Sequence, residues 1–352
     1  MPMPPHLFPL RWLLFLRHGL GLPLAFTLAL SLAGALTGWA QELKFFRIGT
    51  GTTGGTYFPI GGLLSNAISN PPGSRPCGRG GSCGVPGLIA VAQATSGSVE
   101  NINALRSGGL EAALVQADIA HWAFVGQGIY RDKPPFAELR AVANLYTEAV
   151  HLVVRADSPI RSVRDLAGRA VSLGDEGSGI LVESRILLAA YGLSESAIRP
   201  FYLRPGPSAD RLAAGELDAF FMVGGFPVQA ITDLAARVPI RLIPFDDEPA
   251  VRLKGNFAYY TEVTIDADAY PGVPGTRTLG VGAQFVVRSE LPADLAYGIT
   301  AALWHESTLH LLAEGHPKGR GITLPNALQG LAVPLHPGAE RFYREVGLLA
   351  AK

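Results

Sequence analysis

Short apolar runs with β-strand character alternate with longer amphipathic runs with helix character along the chain after residue 40. In the first part of the chain the pattern predicts strands at 45–49, 88–94 and 110–116, with helices at 59–69 and 99–107. In the second part it predicts strands at 169–173, 199–203 and 217–223, with helices at 180–191 and 209–215. Strands that alternate with helices in this way indicate parallel βαβ units.

The two parts resemble each other, because each has the order β–α–β–α–β and each third strand follows a Gly-Gly or Gly-Glu turn. Polar loops lie between the predicted strands and helices, at 49–56, 95–98, 174–179 and 204–208. Ligands of parallel sheets bind at the carboxyl ends of the strands, where these loops would meet. The sequence therefore predicts an α/β protein with two lobes, a hinge and a central ligand cleft.

Two extended segments, 146–154 and 259–265, are predicted to connect the lobes. The tail from about residue 283 would rejoin the first lobe, with helices near 293–314 and 340–347. Lobe 1 is thus predicted to be discontinuous, comprising 41–147 and 265–352, and lobe 2 comprises 148–264.

The first 40 residues have the pattern of a signal peptide. Basic residues begin the segment, residues 20–36 are almost wholly apolar, and Gly38-Trp39-Ala40 supplies the small residues that signal peptidase reads. Cleavage is predicted after Ala40, which places the mature protein in the periplasm. An uncleaved membrane anchor is the alternative, although the apolar run is short of the roughly 20 residues that a spanning helix needs.

Composition indicates a globular protein with a substantial core, because 48% of the residues are hydrophobic and the formal net charge is zero. No cluster of Lys and Arg is present, which argues against a nucleic-acid partner. Both cysteines, Cys77 and Cys83, lie in the loop PPGSRPCGRGGSCGVPG. In an oxidising compartment so close a pair predicts a local disulfide with a structural role. A metal site is not expected, since the loop contains no His or carboxylate.

The loop at 49–56, GTGTTGGT, is the first candidate binding element. It offers bare backbone amides and four hydroxyls, and Tyr57-Phe58-Pro59 follows as a helix start. A strand, such a loop and a helix N-terminus form an anion-binding device, because the first helical N–H groups lack intrahelical partners. The threonines could instead satisfy turn hydrogen bonds, and Tyr57 could be a core residue or stack on a ligand.

The same loop matches the dinucleotide fingerprint GxGxxG only formally. That fingerprint expects an acidic residue about 20 positions further on, whereas residues 69–76 read SNPPGSRP. No Lys-Ser/Thr follows the glycines as a phosphate-binding P-loop requires. The chain also lacks the GxSxG and HExxH motifs, and His305, His310 and His316 do not have helical metal-ligand spacing. The protein is therefore predicted to be a binding protein without enzymatic activity, cofactor or metal.

Further candidates follow the other predicted strands. Ser96 and Ser98 could contact a ligand or cap a helix, Ser98 as N-cap. Gln116 ends an apolar strand, where a buried amide needs a partner such as a ligand. Asp118 is interpreted as the cap of a helix at 119–125. Glu148 and His151 lie on the predicted hinge, where an interlobe hydrogen bond is favoured over catalysis.

In lobe 2, Ser178 and Gly179 are predicted to form the second anion contact, while Asp175 and Glu176 face solvent. The opposing wall would come from the strand at 217–223 and the residues after it. Strand alternation places Phe220 and Met222 in the core. The other face would line the cleft with Phe221, Val223, Gly224 and Gly225.

Several ordered motifs resemble the TAXI-type solute-binding proteins of TRAP transporters, from about residue 46 to 347. They are GTGTTGGTYFPIG at 49–61, TSGSVENINALRSG at 95–108, VQAD at 115–118, ANLYTEAVHLVVRADS at 143–158, SLGDEGSGILVESRILLAAYGL at 172–193, GELDAFFMVGG at 215–225 and VPLHPGAERFYREVG at 333–347. The cysteine loop at 71–86 departs from the shortest family members, and Thr147 stands where the family pattern has proline.

The resemblance implies a type II periplasmic binding protein fold that captures one small solute and delivers it to TRAP membrane permease subunits. It implies a carboxylate or amino-acid ligand, such as glutamate or 2-oxoglutarate, and a monomer. No arginine is expected in the matched loops, so backbone amides and hydroxyls would bind the carboxylate. A periplasmic ligand-sensing receptor that feeds a signalling partner is the alternative. The predicted ligand-binding residues are Thr52, Thr53, Gly54, Gly55, Thr56, Tyr57, Ser96, Ser98, Gln116, Ser178, Gly179, Phe221, Val223 and Gly224.

Overall fold

The computed structural model describes residues 43–350, so the predicted leader at 1–40 lies outside the described residues. Within this range one sheet of ten strands dominates, with a separate pair of two-residue strands, β2 and β3. The strands are β1 (Lys44–Gly49), β2 (Ser69–Asn70), β3 (Val85–Pro86), β4 (Leu88–Gln93), β5 (Ala112–Gln116), β6 (Leu139–Arg155), β7 (Ala170–Ser172), β8 (Arg199–Phe201), β9 (Ala219–Gly224), β10 (Ile240–Leu242), β11 (Tyr260–Ile265) and β12 (Thr276–Arg288).

Helices follow most of the parallel strands, as the sequence pattern predicts. They are α1 (Tyr57–Ile68), α2 (Ser98–Arg106), α3 (Ala117–Val125), α4 (Gly179–Ala190), α5 (Pro205–Ala213), α6 (Gln229–Ala235), α7 (Glu248–Asn256), α8 (Ala293–Leu303), α9 (Glu306–Gly315) and α10 (Pro337–Glu345). None of the helices in the described range is long and apolar enough to cross a membrane.

The order of the main sheet is β4-β1-β5-β12-β6-β9-β7-β8, with β10 beside β6 and β11 beside β12. Strand β1 pairs in parallel with β4 and β5, and β7 pairs in parallel with β8 and β9. These two parallel groups are the predicted βαβ repeats, which the structure confirms. We call the β1, β4 and β5 group with its helices the first lobe, and the β7, β8 and β9 group with its helices the second lobe.

The long strands β6 and β12 join the lobes. The first half of β6 pairs antiparallel with β12, and its second half pairs antiparallel with β9. The predicted first crossover at 146–154 is thus part of β6. The predicted return at 259–265 is instead β11, which pairs antiparallel with β12, and β12 carries the chain back to β5.

The clusters of buried hydrophobic side chains show the same division into two lobes. One cluster contains Val171, Leu187 and Phe220 and belongs to the second lobe. Two clusters lie in the first lobe, one including Ile48 and Phe285 and the other Ile102 and Ile119. In the predicted 265–352 part of lobe 1, five buried residues pack in the second lobe's cluster: Ile265, Tyr270, Val273, Leu279 and Val281. The lobe boundaries stay a prediction.

Two glycines let β12 lie close to β6 where the chain passes between the lobes. A Cβ at Gly280 would lie 2.6 Å from Thr147 Cγ2, and one at Gly282 would lie 2.6 Å from Asn144 Oδ1. The register between β6 and β12 also shifts just after Ala283. Close backbone approach therefore requires glycine at this crossing.

The disulfide between Cys77 and Cys83 is present, as predicted. The loop itself contains no His or carboxylate, but the fold brings His305 to it from the start of α9. His305 Nε2 lies 3.8 Å from Cys77 Sγ. Because both sulfurs are in the disulfide, the three residues do not form a thiolate metal site in this state.

Candidate functional site

Four helix N-termini meet around one small cavity between the lobes. Helix α1 begins at Tyr57, α2 at Ser98 and α4 at Gly179, and Gln116 is the N-cap residue of α3. All four residues line the cavity, whose volume is about 40 Å³. A water occupies about 10–15 Å³ on this measure, so the space holds about three waters or one small functional group. In the first turn of α2, Val99 N and Glu100 N donate to the Gly177 carbonyl, and in α4 Leu181 N donates to Ser178 Oγ. The aligned helix dipoles still make the cavity an environment for an anion.

The cavity brings together most of the residues that the sequence singled out, although ligand contact by them stays a prediction. The predicted residues that line it are Thr52, Gly55, Thr56, Tyr57, Ser96, Ser98, Gln116, Ser178, Gly179 and Val223. The lining residues that were not on the predicted list are Gly51, Gly97, Glu148, Ile180 and Met222.

Gln116 has the environment expected of a ligand-binding amide. It ends β5, it is 2% exposed, and its Oε1 has no hydrogen-bond partner. A Cβ on Gly179 would lie only 1.6 Å from that Oε1, so the second lobe closes directly onto the Gln116 side chain. A buried amide oxygen without a donor is costly. It is therefore available to a donor in the cavity.

The two serines have different local roles. Ser178 is the N-cap of α4, since its Oγ accepts from Leu181 N and donates to the Asp175 carbonyl. Ser98 was predicted as an N-cap, but the N-cap position is held by Gly97 and Ser98 is the first helical residue. Its Oγ accepts from Gln116 N at 3.1 Å, which ties α2 to β5. The glycine fits there because its φ of 122° is unfavourable for other residues.

A hydrogen bond between Tyr57 and Glu148 closes one side of the cavity. Tyr57 Oη donates to Glu148 Oε2 at 2.6 Å, and both residues are buried. Burial is the main cause that raises the pKa of Glu148 to about 8, while the hydrogen bond from Tyr57 opposes it. The predicted hydrogen-bonding role of Glu148 is present. Sequence reasoning did not place this carboxyl on the cavity wall, because its position depends on how β6 crosses the sheet.

His151 does not make the predicted interlobe hydrogen bond. Its Nε2 lies 2.9 Å from Tyr270 Oη and its Nδ1 lies 2.9 Å from the Ala149 carbonyl, and Tyr270 packs in the second lobe's core. Burial lowers the pKa of His151 to about 4, so the ring is neutral at pH 7. His151 therefore stabilises the second lobe internally.

Strand β9 forms one wall of the cavity, and the side chains that line this wall differ in part from the predicted ones. Met222 and Val223 line the cavity, whereas Phe221 is buried in the second lobe's core and Gly224 lies outside the lining. Met222 packs in the second lobe's core as predicted, and it lines the cavity as well. A Cβ on Gly224 would lie 3.0 Å from Met222 Cε. Gly224 therefore leaves room for this thioether.

An outer groove of about 320 Å³ adjoins the cavity and shares Thr52 with it. The predicted residues Thr53 and Gly54 line this groove rather than the cavity, as does Arg204 at the start of α5. Arg204 lies in the fourth polar loop, which is outside the motifs that carry the family resemblance. A guanidinium thus stands at the edge of the cleft.

Asp175 does not face solvent as predicted. It is 8% exposed, and its carboxylate lies 3.5 Å from Arg204 Nε. Burial raises the pKa of Asp175, and hydrogen bonding and the charge of Arg204 act in the opposite direction. Glu176, in contrast, is exposed as expected.

Asp118 is not a helix cap. It is the second residue of α3 and is fully buried, and neither carboxylate oxygen has a side-chain donor among the described residues. Its carboxyl group faces that of Glu183 on α4. A sequence pattern could not reveal this pair, because the two residues are brought together only by the approach of the lobes.

Comparison with solved structures gives matches across most of the chain at low identity. The periplasmic aliphatic sulphonate binding protein SsuA from Escherichia coli is 14% identical, with 88% of this chain and 90% of that chain covered and a TM-score of 0.42. The alkanesulfonate-binding protein SsuA from Xanthomonas axonopodis pv. citri, bound to MOPS, is 16% identical, with 87% and 85% covered and a TM-score of 0.42. An ancestral arginine-binding protein bound to arginine is 14% identical, with 79% and 97% covered and a TM-score of 0.45. No ligand or partner follows from similarities of this size.

A match to a protein-family model identifies the family of this chain. The model of the NMT1-like family matches residues 48–347, which include both lobes and every residue of the cavity wall. On this match, the protein belongs to the NMT1-like family.

Proposed function

We propose that this protein is an extracytoplasmic solute receptor that closes two lobes around one small solute and presents it to a membrane permease. The observation that carries the proposal is the convergence of helix N-termini from both lobes on one enclosed cavity. A ligand held by both lobes stabilises the closed form, which is the basis of hinge closure in such proteins.

The solute has an acid group that fits the inner cavity. The first residues of α1, α2 and α4 line that space, and no Lys, Arg or His is among the lining residues described. Such a site binds an anion through hydrogen bonds and helix dipoles. The rest of the solute extends past Thr52 into the outer groove towards Arg204. A small carboxylate or amino acid, such as glutamate or 2-oxoglutarate, fits these requirements.

The side chains favour binding over catalysis. The hydroxyl of Ser178 is engaged in capping α4, and that of Ser98 accepts from Gln116 N. A serine nucleophile instead needs its hydroxyl directed at a general base. The carboxyl of Glu148 is engaged by Tyr57.

A ligand panel tests the receptor proposal. Carboxylates and amino acids would be screened for a rise in melting temperature, and hits would be examined by X-ray scattering with and without ligand. A ligand at a hundredfold excess over its Kd stabilises the protein by about 2.7 kcal/mol, and closure lowers the radius of gyration. Mass spectrometry of small molecules that co-purify with the native protein extends the panel. Conversion of the hit into product, or stabilisation without compaction, contradicts the proposal.

The finer proposal is that the permease is of the TRAP type, which the motifs quoted above support. A permease purified with its membrane subunits would be placed in proteoliposomes with this receptor and the ligand found above. Uptake that requires a sodium or proton gradient supports a TRAP-type partner. Uptake that requires ATP assigns the receptor to another transporter class.

A further inference from the structure

Helices α3 and α4 meet across the boundary between the lobes. Ile119 and Ala120 of α3 pack in a core cluster of the first lobe, and Leu181 and Leu187 of α4 pack in that of the second lobe. Val182 of α4, however, packs in the first lobe's cluster. The contact between these helices therefore exists only while the lobes are together.

Two carboxyl groups face each other at this contact, Asp118 from α3 and Glu183 from α4. Both residues are 0% exposed. Tyr260 Oη donates to Glu183 Oε2 at 2.7 Å, whereas no described side chain donates to Glu183 Oε1 or to either oxygen of Asp118. The backbone N–H groups of Asp118 and Ile119 are the groups that favour the charged form of Asp118 besides Glu183. Two facing groups that could only accept hydrogen bonds would repel each other, so one of them must carry a proton.

The surroundings supply no compensating cation. The pair interacts electrostatically with the carboxyl of Glu148 on β6 and with the hydroxyls of Tyr130, Tyr259 and Tyr260. The guanidinium of Arg106 lies 6.0 Å from the centroid of the Tyr130 ring and acts on Tyr130. The imidazole of His121, one turn along α3, packs against the ring of Tyr259 at 6.2 Å between centroids. Within residues 43–350 no Lys or Arg pairs with either carboxylate, and Lys318 acts on Glu148 instead.

We propose that Asp118 and Glu183 form a proton-operated latch, which takes up one proton as the lobes close and loses it as they open. The proton lies between one oxygen of each carboxyl group, and it comes from solvent because both groups are solvated and ionised when the lobes separate at neutral pH. The inference rests on the proposed lobe closure, but it does not depend on the identity of the ligand.

The electrostatics of the closed form agree with this latch. Burial raises the pKa of Asp118 to about 6, and burial together with the charge of Asp118 raises the pKa of Glu183 well above its usual range. Ordinary values for exposed Asp and Glu are about 4. The closed form therefore binds more protons than the open form above about pH 4, and closing becomes less favourable as the pH rises. For one proton, the closing constant falls up to about tenfold per pH unit in this window.

X-ray scattering of the ligand-free protein between pH 4 and pH 9 tests the latch. We expect the radius of gyration of the native sequence to increase as the pH rises, with unchanged circular dichroism. Asp118→Asn supplies a permanent N–H donor to Glu183, and Glu183→Gln supplies one to Asp118, so both variants should lose most of this pH dependence. Glu216→Gln changes an exposed carboxylate and should behave as the native sequence does.

The native protein alone decides the outcome even if a variant does not fold. A radius of gyration that is constant over the whole pH range overturns the latch, as does an unaltered pH profile in both folded variants. If ligand still compacts the protein at one pH while pH has no effect without ligand, the latch is wrong and the receptor proposal stands. If neither ligand nor pH changes the radius, lobe closure itself is wrong.

Discussion

Gln116 of the first lobe and Gly179 of the second approach each other so closely that a single methyl group would not fit between them. A Cβ on Gly179 would lie 1.6 Å from Gln116 Oε1 and 3.1 Å from Ser98 Oγ. The glycine thus permits the start of α4 to reach the end of β5, and the closed cavity depends on this contact.

The first prediction is that Gly179→Ala prevents full closure. We expect ligand affinity to fall by about tenfold or more, equivalent to about 1.4 kcal/mol. The stability of the ligand-free protein should change little, because alanine is favourable in helices. Calorimetry and thermal unfolding measure the two effects. Gly62→Ala on α1 is the control, since a Cβ there meets nothing within 4 Å; equal affinities for both variants would show that the contact does not limit closure.

The second prediction is that Gln116→Ala weakens ligand binding more than it weakens folding. Loss of a hydrogen bond to a charged ligand group costs about 1.5–3 kcal/mol, or about one to two decades in affinity. Gln284→Ala is a matched control, because Gln284 is also fully buried on a strand but both its amide atoms bond to backbone groups. That variant should lose stability and keep its affinity. A large drop in melting temperature with unchanged affinity for Gln116→Ala would assign Gln116 to the core.

The third prediction concerns the disulfide between Cys77 and Cys83. The bond closes a loop with a sequence separation of 6 residues, so its removal should cost less than the roughly 3 kcal/mol of a 15-residue loop. Cys77 and Cys83 also lie outside the lining of both the cavity and the groove. The double Cys→Ser variant should therefore bind ligand normally and unfold at slightly lower urea concentration. Complete loss of binding would mean that the loop shapes the cleft.

The fourth prediction concerns the pH dependence of stability that arises from Glu148. Its pKa is raised from 4.5 to about 8 in the folded protein, so the folded state binds more protons than the unfolded state between these values. Its contribution to the free energy of unfolding therefore decreases as the pH rises from 4.5 to 8, by at most about 1.4 kcal/mol per pH unit.

Glu148→Gln removes this titration and keeps an oxygen that can accept from Tyr57. We expect urea unfolding to show the variant gaining stability relative to the native sequence between pH 5 and pH 8. Glu314→Gln, on the exposed side of α9, serves as the control and should follow the native sequence. If the Glu148→Gln and native curves remain parallel over this range, the carboxyl of Glu148 does not titrate there.

The sequence by itself determined the elements and most of the loops that surround the cavity. Strand β1, the Gly/Thr loop and helix α1 lie where the pattern predicts, because period-2 and period-3.6 hydrophobicity and turn residues are local properties. Gln116 was recognisable for the same reason, since it is a polar residue that ends an apolar strand.

The tertiary structure alone decided what depends on contacts between distant segments. The chain returns to the first lobe along β12 because β12 pairs with β5 and β6. An extended segment in the sequence does not show which strands it will pair with. The sequence predicts Asp118 as a helix cap, but in the folded protein α4 places Glu183 beside it. Asp175, in the same way, is predicted from the sequence to face solvent, but the folded structure buries it beside Arg204. Local patterns specify which segments form strands and helices, but burial and charge at the cleft are set by how two lobes approach each other.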